Sequence, residues 1–204
     1  MITAATTLAA GYAAVPPGHI ATIVTSLQMV RPPSLRPVRP FPPGIGLQPL
    51  VDRDPGTYRS LFRAVGADWL WFSRLALAED ALAAILADEA VEILALRQAG
   101  CNIGMLELDF RQPGQCELVF LGLTRDRIGS GLGGSLMDHA LRRAWSRPIE
   151  RIWLHTCTLD HPGALAFYRR FGFEPFAVHV EVAPDPRLTG ALPRDCAPHV
   201  PLLG

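Results

Sequence analysis

The chain has 204 residues, 49% of them hydrophobic and 19% charged, so it can bury the core of a globular domain. Its 19 basic and 19 acidic side chains cancel, so the bulk charge does not predict binding to nucleic acid or to an acidic membrane surface. The cysteines lack the spacing of a metal knuckle or a disulfide scaffold, and the apolar N-terminus lacks the early basic residues of a signal peptide. We therefore expect a cytoplasmic protein with no metal, no membrane span and no nucleic-acid partner.

Prolines divide the first 49 residues of the chain. Between two proline pairs, residues 19–30 are rich in β-branched side chains, which predicts a strand. Residues 31–46 predict an extended linker or edge segment, and a second strand is expected over residues 46–51. A strand ahead of the main domain can extend a sheet edge or pair with a second copy of the chain, so a homodimer is one expectation.

Helical periodicity follows the prolines. Apolar side chains recur at helical spacing from Tyr58 to Trp69, Gly66 predicts the end of this helix, and a second helix is expected over residues 78–86. Residues 69–72 form an aromatic patch between the two helices. These side chains fit a protein core, and they also fit the wall of a substrate pocket.

Strands and helices alternate in the second half. Short turns join the first three strands, which indicates an antiparallel meander, and one β–α–β crossover follows. The predicted elements are strands 91–96, 102–110 and 116–123, helix 131–145, strand 149–158, helix 162–171 and strand 173–182. This order predicts an α/β (α+β) fold, with a mixed, mostly antiparallel twisted sheet flanked by helices and an extra N-terminal strand.

A glycine-rich loop, Gly129-Ser-Gly-Leu-Gly-Gly134, follows a predicted strand and opens a helix. Glycines let the backbone approach a ligand closely, and the free N–H groups of a helix N-terminus attract a phosphate. The loop therefore predicts a site for an anionic group.

The same loop satisfies GxGxxG, the dinucleotide fingerprint, and Asp160 near the end of the next strand could bind a ribose. An NAD(P)-binding oxidoreductase is therefore one alternative. The antiparallel meander before the loop and the single β–α–β unit count against it. The chain has no lysine, which excludes a Walker A loop.

Two segments together resemble the acyl-CoA-binding core of the GNAT superfamily of N-acyltransferases. The first is Glu117–Ser135, and the second is His161-Pro-Gly-Ala-Leu-Ala-Phe-Tyr-Arg-Arg-Phe-Gly-Phe173. The resemblance covers residues 90–182, and the strand after Val-Pro-Pro-Gly is similar to that of a bacterial subgroup. Two positions depart from the family pattern: its Gln or Arg falls on Ile128, and its Asn falls on His161.

The resemblance implies a site for acetyl-CoA as acyl donor, with no metal. It places the following residues around the donor: Leu121, Leu123, Arg127, Ile128, Gly129, Ser130, Gly131, Leu132, Gly133, Gly134, Ser135, His161 and Tyr168. Arg127 could supply the charge that is missing at Ile128, or backbone N–H groups could bind the diphosphate alone. His161 could contact the pantetheine arm or cap the helix that follows it.

The implied reaction is direct transfer of an acetyl or other short acyl group to a small-molecule or peptide amine. A neutral amine must attack, and a proton donor helps the thiolate to leave. By the resemblance, Tyr168 is the acid, Glu117 is the base, and a backbone N–H near Leu123 stabilises the oxyanion.

Other groups stay open as the base. Glu107 and Asp109 lie on one face of the neighbouring strand, and His155 lies on the strand after the helix. Cys157 could form an acyl-enzyme, although a buried strand cysteine is usually inert.

Three regions are expected: an N-terminal extension over residues 1–45 packed on the core, a catalytic domain over 46–183, and an irregular tail over 184–204. Besides the acyltransferase and the oxidoreductase, a GNAT-fold module that binds acyl-CoA without catalysis remains a third hypothesis.

Overall fold

The computed structural model describes residues 7–33 and 37–203. The strands are β1 (His19–Met29), β2 (Ile45–Pro49), β3 (Val91–Gln98), β4 (Cys101–Asp109), β5 (Gln115–Leu123), β6 (Arg151–Cys157) and β7 (Glu174–Pro184). The helices are α1 (Pro55–Gly66), α2 (Glu79–Ala87), α3 (Leu132–Trp145) and α4 (Ala164–Arg170), with 3-10 turns at Ala67–Trp69 and Arg125–Arg127. Within these residues, no helix is long and apolar enough to cross a membrane.

All seven strands belong to one sheet, in the order β2-β3-β4-β5-β6-β1-β7. Neighbouring strands are antiparallel except β5 and β6, which run parallel and are connected through α3. The predicted mixed, mostly antiparallel fold class is confirmed. A doubly wound dinucleotide-binding sheet would instead repeat parallel β–α–β units.

The first strand lies inside the sheet. It pairs antiparallel with β6 along one edge and with β7 along the other. Leu27 is fully buried, and Met29 lies in the same hydrophobic core. The strand therefore extends the sheet, which was one of the two expectations, but it does so from an interior position, because both of its edges are hydrogen-bonded within the chain. The linker that follows crosses to the opposite edge, where β2 pairs with β3.

Alternating side chains along the strands build two cores, one on each face of the sheet. Met105 packs on the first face with residues of α1 and α2, which we call the front core. Its neighbour Leu106 packs on the other face with residues of α3, which we call the back core. The ends of β5 and β6 lie between these helical layers.

The first helix begins at Pro55, three residues before the periodic apolar side chains start at Tyr58, and ends at Gly66 as predicted. The Oδ1 of Asp54 accepts hydrogen bonds from the N–H groups of Gly56 and Thr57, at 2.9 and 3.0 Å, and Pro55 occupies the first turn. These are favourable residues for a helix start, because they satisfy or remove unpaired N–H groups. The helix then presents Tyr58, Phe62 and Val65 to the front core.

The C-terminal tail is irregular but anchored. A buried ion pair joins Arg187 Nη2 to Asp185 Oδ2 at 2.7 Å, and Arg187 Nη1 donates to the carbonyl of Val200 at 2.8 Å. The tail also buries Leu192 against Leu70 of the aromatic patch. The tail therefore supports the segment between α1 and α2.

The interior position of β1 predicts a large effect of Leu27→Ala. This substitution removes a fully buried side chain, so we expect unfolding in urea to become easier by about 2–5 kcal/mol. The control is Ile23→Ala on the same strand, where the side chain is 50% exposed and the expected loss is below about 1 kcal/mol. Equal effects of the two variants would contradict the burial of Leu27 in the back core.

Candidate active site

The parallel strands β5 and β6 diverge soon after they pair. Their register covers only Gln115–Glu117 opposite Arg151–Trp153, although β5 continues to Leu123 and β6 to Cys157. On its other side β5 shifts register against β4, and such an irregularity bends a strand. The divergence opens a cavity of about 1100 Å³, which is lined by residues 118–123 of β5. This volume slightly exceeds the usual range of about 300–1,000 Å³ for ligand pockets.

The glycine loop forms one end of this cavity. Ile128, Gly129, Gly131, Gly133 and Gly134 all line it. Gly131 precedes α3 with a φ of 84°, a left-handed conformation that a side chain would strain. No side chain caps α3, and the N–H of Gly134 donates to the carbonyl of Gly131 at 3.1 Å. The N–H groups of Leu132 and Gly133 are therefore the ones available to an anion.

Four predicted loop contacts lie outside the cavity lining. Arg127 pairs through Nε with Asp126 Oδ2 at 3.0 Å, and Ser130 Oγ donates to the carbonyl of Arg127 at 2.6 Å. Leu132 and Ser135 are buried in the packing of α3. The loop therefore presents mainly backbone to the cavity, and Arg127 lies outside its lining.

Tyr168 lines the middle of the cavity on α4, and so do Leu121, Leu123 and His161. Burial raises the pKa of the Tyr168 phenol, and the negative charge of Asp160 adds to the rise. The phenol is therefore protonated at neutral pH. It has the protonation state that a proton donor needs.

Asp160 connects the end of β6 to the aromatic patch. Its Oδ1 accepts a hydrogen bond from Trp71 Nε1 at 2.9 Å. Its Oδ2 accepts from Thr156 Oγ1 at 2.7 Å and from the N–H of Cys157 at 2.9 Å. The sequence suggested Asp160 only as a ribose ligand. The signal in the sequence for these hydrogen bonds was the position of Asp160 shortly after a strand.

The aromatic patch forms the opposite wall. Trp69, Leu70, Trp71 and Phe72 all line the cavity, and the last three also pack in or against the hydrophobic cores. Both interpretations of this patch therefore hold, and three of its four side chains fit both. The ring of His161 packs edge-on against Trp69, with 5.3 Å between centroids. His161 Nδ1 also accepts the N–H of Gly163 at 3.0 Å, immediately before α4.

Glu117 and His155 form the pair best placed to take up a proton. His155 lines the cavity and is half exposed. Glu117 lies outside the lining, and its Oε1 is 3.8 Å from Nδ1 of His155. Burial raises the pKa of the Glu117 carboxyl from 4.5 to about 7, and the charge of Asp109 adds to the rise. Burial in the cavity wall lowers the pKa of His155 below 6.5, against the effect of Asp160 and Glu181. Both groups can therefore accept a proton near neutral pH.

The two other carboxylates proposed as bases are engaged elsewhere. Glu107 is fully buried, accepts a hydrogen bond from Tyr58 Oη, and forms an ion pair with Arg74 at 2.6 Å. Asp109 forms an ion pair with Arg111 at 2.5 Å. Neither residue lines the cavity. These contacts make both carboxylates poor proton acceptors for a bound amine.

Cys157 also lines the cavity. Burial raises the pKa of its thiol, and the charge of Asp160 adds to the rise. The sulfur therefore remains a thiol at neutral pH, and a thiol is a weak nucleophile. This environment disfavours an acyl-enzyme. Within the described residues, no group of three or more His, Cys, Asp or Glu side chains could hold a metal ion.

Comparison with known proteins agrees with this geometry. Residues 58–173, more than half of the chain, match the acetyltransferase (GNAT) family. The chain belongs to the GNAT family. The matched region runs from α1 to the Phe173 that follows α4, so it contains the glycine loop, Glu117, His155 and Tyr168.

A curated relative of this GNAT chain is a mycothiol acetyltransferase from Clavibacter michiganensis subsp. michiganensis. The two are 30% identical over 145 residues, which are 70% of this chain and 47% of the relative. The chain thus spans about half the length of that protein.

Solved GNAT structures share the fold. A GCN5-related N-acetyltransferase from Kribbella flavida matches with a TM-score of 0.53 and 21% identity, over 85% of this chain and 63% of that one. The ribosomal-protein-S18-alanine N-acetyltransferase from Escherichia coli matches with a TM-score of 0.53 and 16% identity, over 69% of this chain and 94% of that one. At these identities the likeness concerns the fold alone.

The raised pKa of Glu117 predicts a pH-dependent stability. Because the folded carboxyl binds its proton more tightly than the unfolded one, stability falls as the pH rises from 4.5 to about 7. Glu117→Gln removes this loss. We expect it to stabilise the fold above pH 7 by about 1–3 kcal/mol and to have little effect below pH 4.5. Urea unfolding of both proteins across this range measures the difference, and a constant difference would contradict the burial of a charged Glu117.

Proposed function

We propose that this GNAT chain transfers an acetyl or other short acyl group from acyl-CoA, in the first place acetyl-CoA, to an amine. The observation that carries the proposal is one continuous cavity. It runs from the uncapped start of α3, along the diverging strand β5, to Tyr168 on one side and His155 on the other. A donor with a phosphate-bearing end and an acceptor could therefore meet within it.

The side chains support direct transfer. The neutral amine nitrogen attacks the thioester carbonyl, a C–N bond forms, and the C–S bond breaks. The amine loses its proton to the pair formed by Glu117 and His155, and the departing thiolate takes a proton from the Tyr168 phenol. Backbone N–H groups of β5 beyond its pairing with β6 are suited to stabilise the oxyanion near Leu123.

Ligand stabilisation distinguishes this proposal from the oxidoreductase alternative. We expect acetyl-CoA to raise the thermal unfolding midpoint in a concentration-dependent manner, because it binds only the folded chain. NADH should leave the midpoint unchanged. Stabilisation by NADH alone would contradict the proposal.

A screen of amines separates an enzyme from an acyl-CoA-binding module. Incubation with acetyl-CoA and a panel of small and peptide amines should release free CoA thiol and yield one or more products heavier by one acetyl group. Binding of acetyl-CoA with no product from any amine would instead support the module without catalysis.

Tyr168→Phe tests the proton donor once an acceptor is known. The variant keeps the ring packing but loses the phenol, so we expect kcat to fall about 100- to 10 000-fold with the Kd for acetyl-CoA little changed. Tyr12→Phe makes the same chemical change at a fully exposed side chain outside the cavity and should leave kcat unchanged. Unchanged turnover of Tyr168→Phe would remove Tyr168 from the mechanism.

The pH dependence of kcat/KM tests the base. The carboxylate of Glu117 is the form that accepts a proton, so activity should decrease as the pH falls below about 7. This decrease is the acidic limb of the pH profile. Acceptors whose amines have different pKa values should show the same limb, because it reflects a group of the protein. Glu117→Gln should abolish the limb. A limb that moves with the acceptor and survives in Glu117→Gln would exclude Glu117 as the base.

A further inference from the structure

The linker between β1 and β2 passes directly beside the glycine loop. Phe41 stacks on His139 of α3, with ring centroids 4.7 Å apart and an interplanar angle of 9°. Pro37 and Arg39 line the cavity. The linker therefore reaches the cavity beside α3. Arg39 and Asp138 of α3, which are in contact, are 99 residues apart in the sequence.

Three contacts hold the Arg39 side chain at this position. Its Nε donates to Asp138 Oδ2 at 2.7 Å, and its backbone N–H donates to the same oxygen at 3.4 Å. Its Cζ lies 5.4 Å from the ring centroid of Phe171. Asp138 and Phe171 also line the cavity. The guanidinium is therefore positioned by its environment although the side chain is 55% exposed.

The guanidinium lies against the first turn of α3. A methyl group placed on Gly134 would lie 2.5 Å from Arg39 Nη1 and 2.8 Å from its Cζ, both shorter than van der Waals contact. Gly134 thus makes room for the charged group. The ion pair with Asp138 uses Nε, so Nη1 and Nη2 keep donors for an anion bound at the helix start.

The loop itself lacks a side-chain charge in the cavity. Ile128 occupies the position of the family's Gln or Arg, and Arg127 is paired with Asp126 outside the lining. Among the described residues, the arginines that line the cavity are Arg39 and Arg170, and only Arg39 lies against the start of α3. A guanidinium beside an uncapped helix N-terminus suits a doubly charged phosphate ester.

We propose that Arg39 binds the diphosphate of CoA and supplies from the linker the charge that the glycine loop lacks. This inference rests on the proposed function, because it assigns a residue to the acyl-CoA site. It also gives the linker a function, since Arg39 reaches the cavity only when residues 37–41 pack on α3.

Calorimetric titration of CoA and of 3′-dephospho-CoA tests the proposal. In Arg39→Ala we expect the Kd of both ligands to rise about tenfold, because both carry the diphosphate. Arg39→Lys keeps the charge but loses the planar fork, so it should be intermediate. Arg31→Ala removes the same charge from an exposed position on the same linker, outside the cavity, and should bind as the unaltered chain does.

A double-mutant cycle with Gly134→Ala tests the position of the guanidinium. The added methyl group should displace Arg39, so the two substitutions should together weaken CoA binding less than the product of their separate effects. Additive effects would overturn the placement of Arg39 beside α3.

The titrations distinguish failure of this proposal from failure of the proposed function. Unchanged Kd values in Arg39→Ala would overturn the role of Arg39, and a loss confined to CoA would assign it to the 3′-phosphate and overturn the proposal as stated. Failure of the unaltered chain to bind either ligand would instead contradict the proposed function.

Discussion

The short parallel pairing of β5 and β6 is the constraint on which the rest of the site depends. Because the two strands pair over three residues and then separate, the middle of the sheet contains a cleft. The cleft exposes the end of β5, the start of α3 and the first residues of α4 to one cavity. The β1 strand reinforces this arrangement, because it continues the sheet on the far side of β6 through antiparallel pairing. A sheet with full β5–β6 pairing would have no space for a ligand at this position.

Electrostatics divides this cavity into regions with different chemistry. The glycine loop and Arg39 form a region suited to phosphate, whereas His155, Asp160 and Glu181 line the part near the diverging strands. Glu117 lies outside the lining, 3.8 Å from His155. Burial makes ionisation of Glu117 costly and so adjusts it to accept a proton near pH 7. The buried Glu107 lies on the same sheet face but is neutralised by Arg74. Two strand carboxylates of similar appearance in the sequence therefore have different environments.

Local patterns were enough to predict much of this structure. Periodicity located the four helices and seven strands, and the glycine loop and the Tyr168 motif indicated the family. Sequence reasoning could not place β1, because strand propensity does not specify the neighbours of a strand in the sheet. It also missed Arg39, which contacts α3 only through the tertiary path of the linker. The engagement of Glu107 depends on Tyr58 and Arg74, two residues from different segments, so no local pattern could reveal it.

Hydrogen exchange of the backbone amides, followed by mass spectrometry, tests the central claim most directly. The claim is that the N–H groups at the start of α3 hold the phosphate-bearing end of an acyl-CoA. Saturating acetyl-CoA should slow exchange in peptides that cover residues 129–135 and the adjacent end of β5, while NADH should change neither. Unaltered exchange across residues 129–135 at saturating acetyl-CoA, or protection there by NADH instead, would contradict the account.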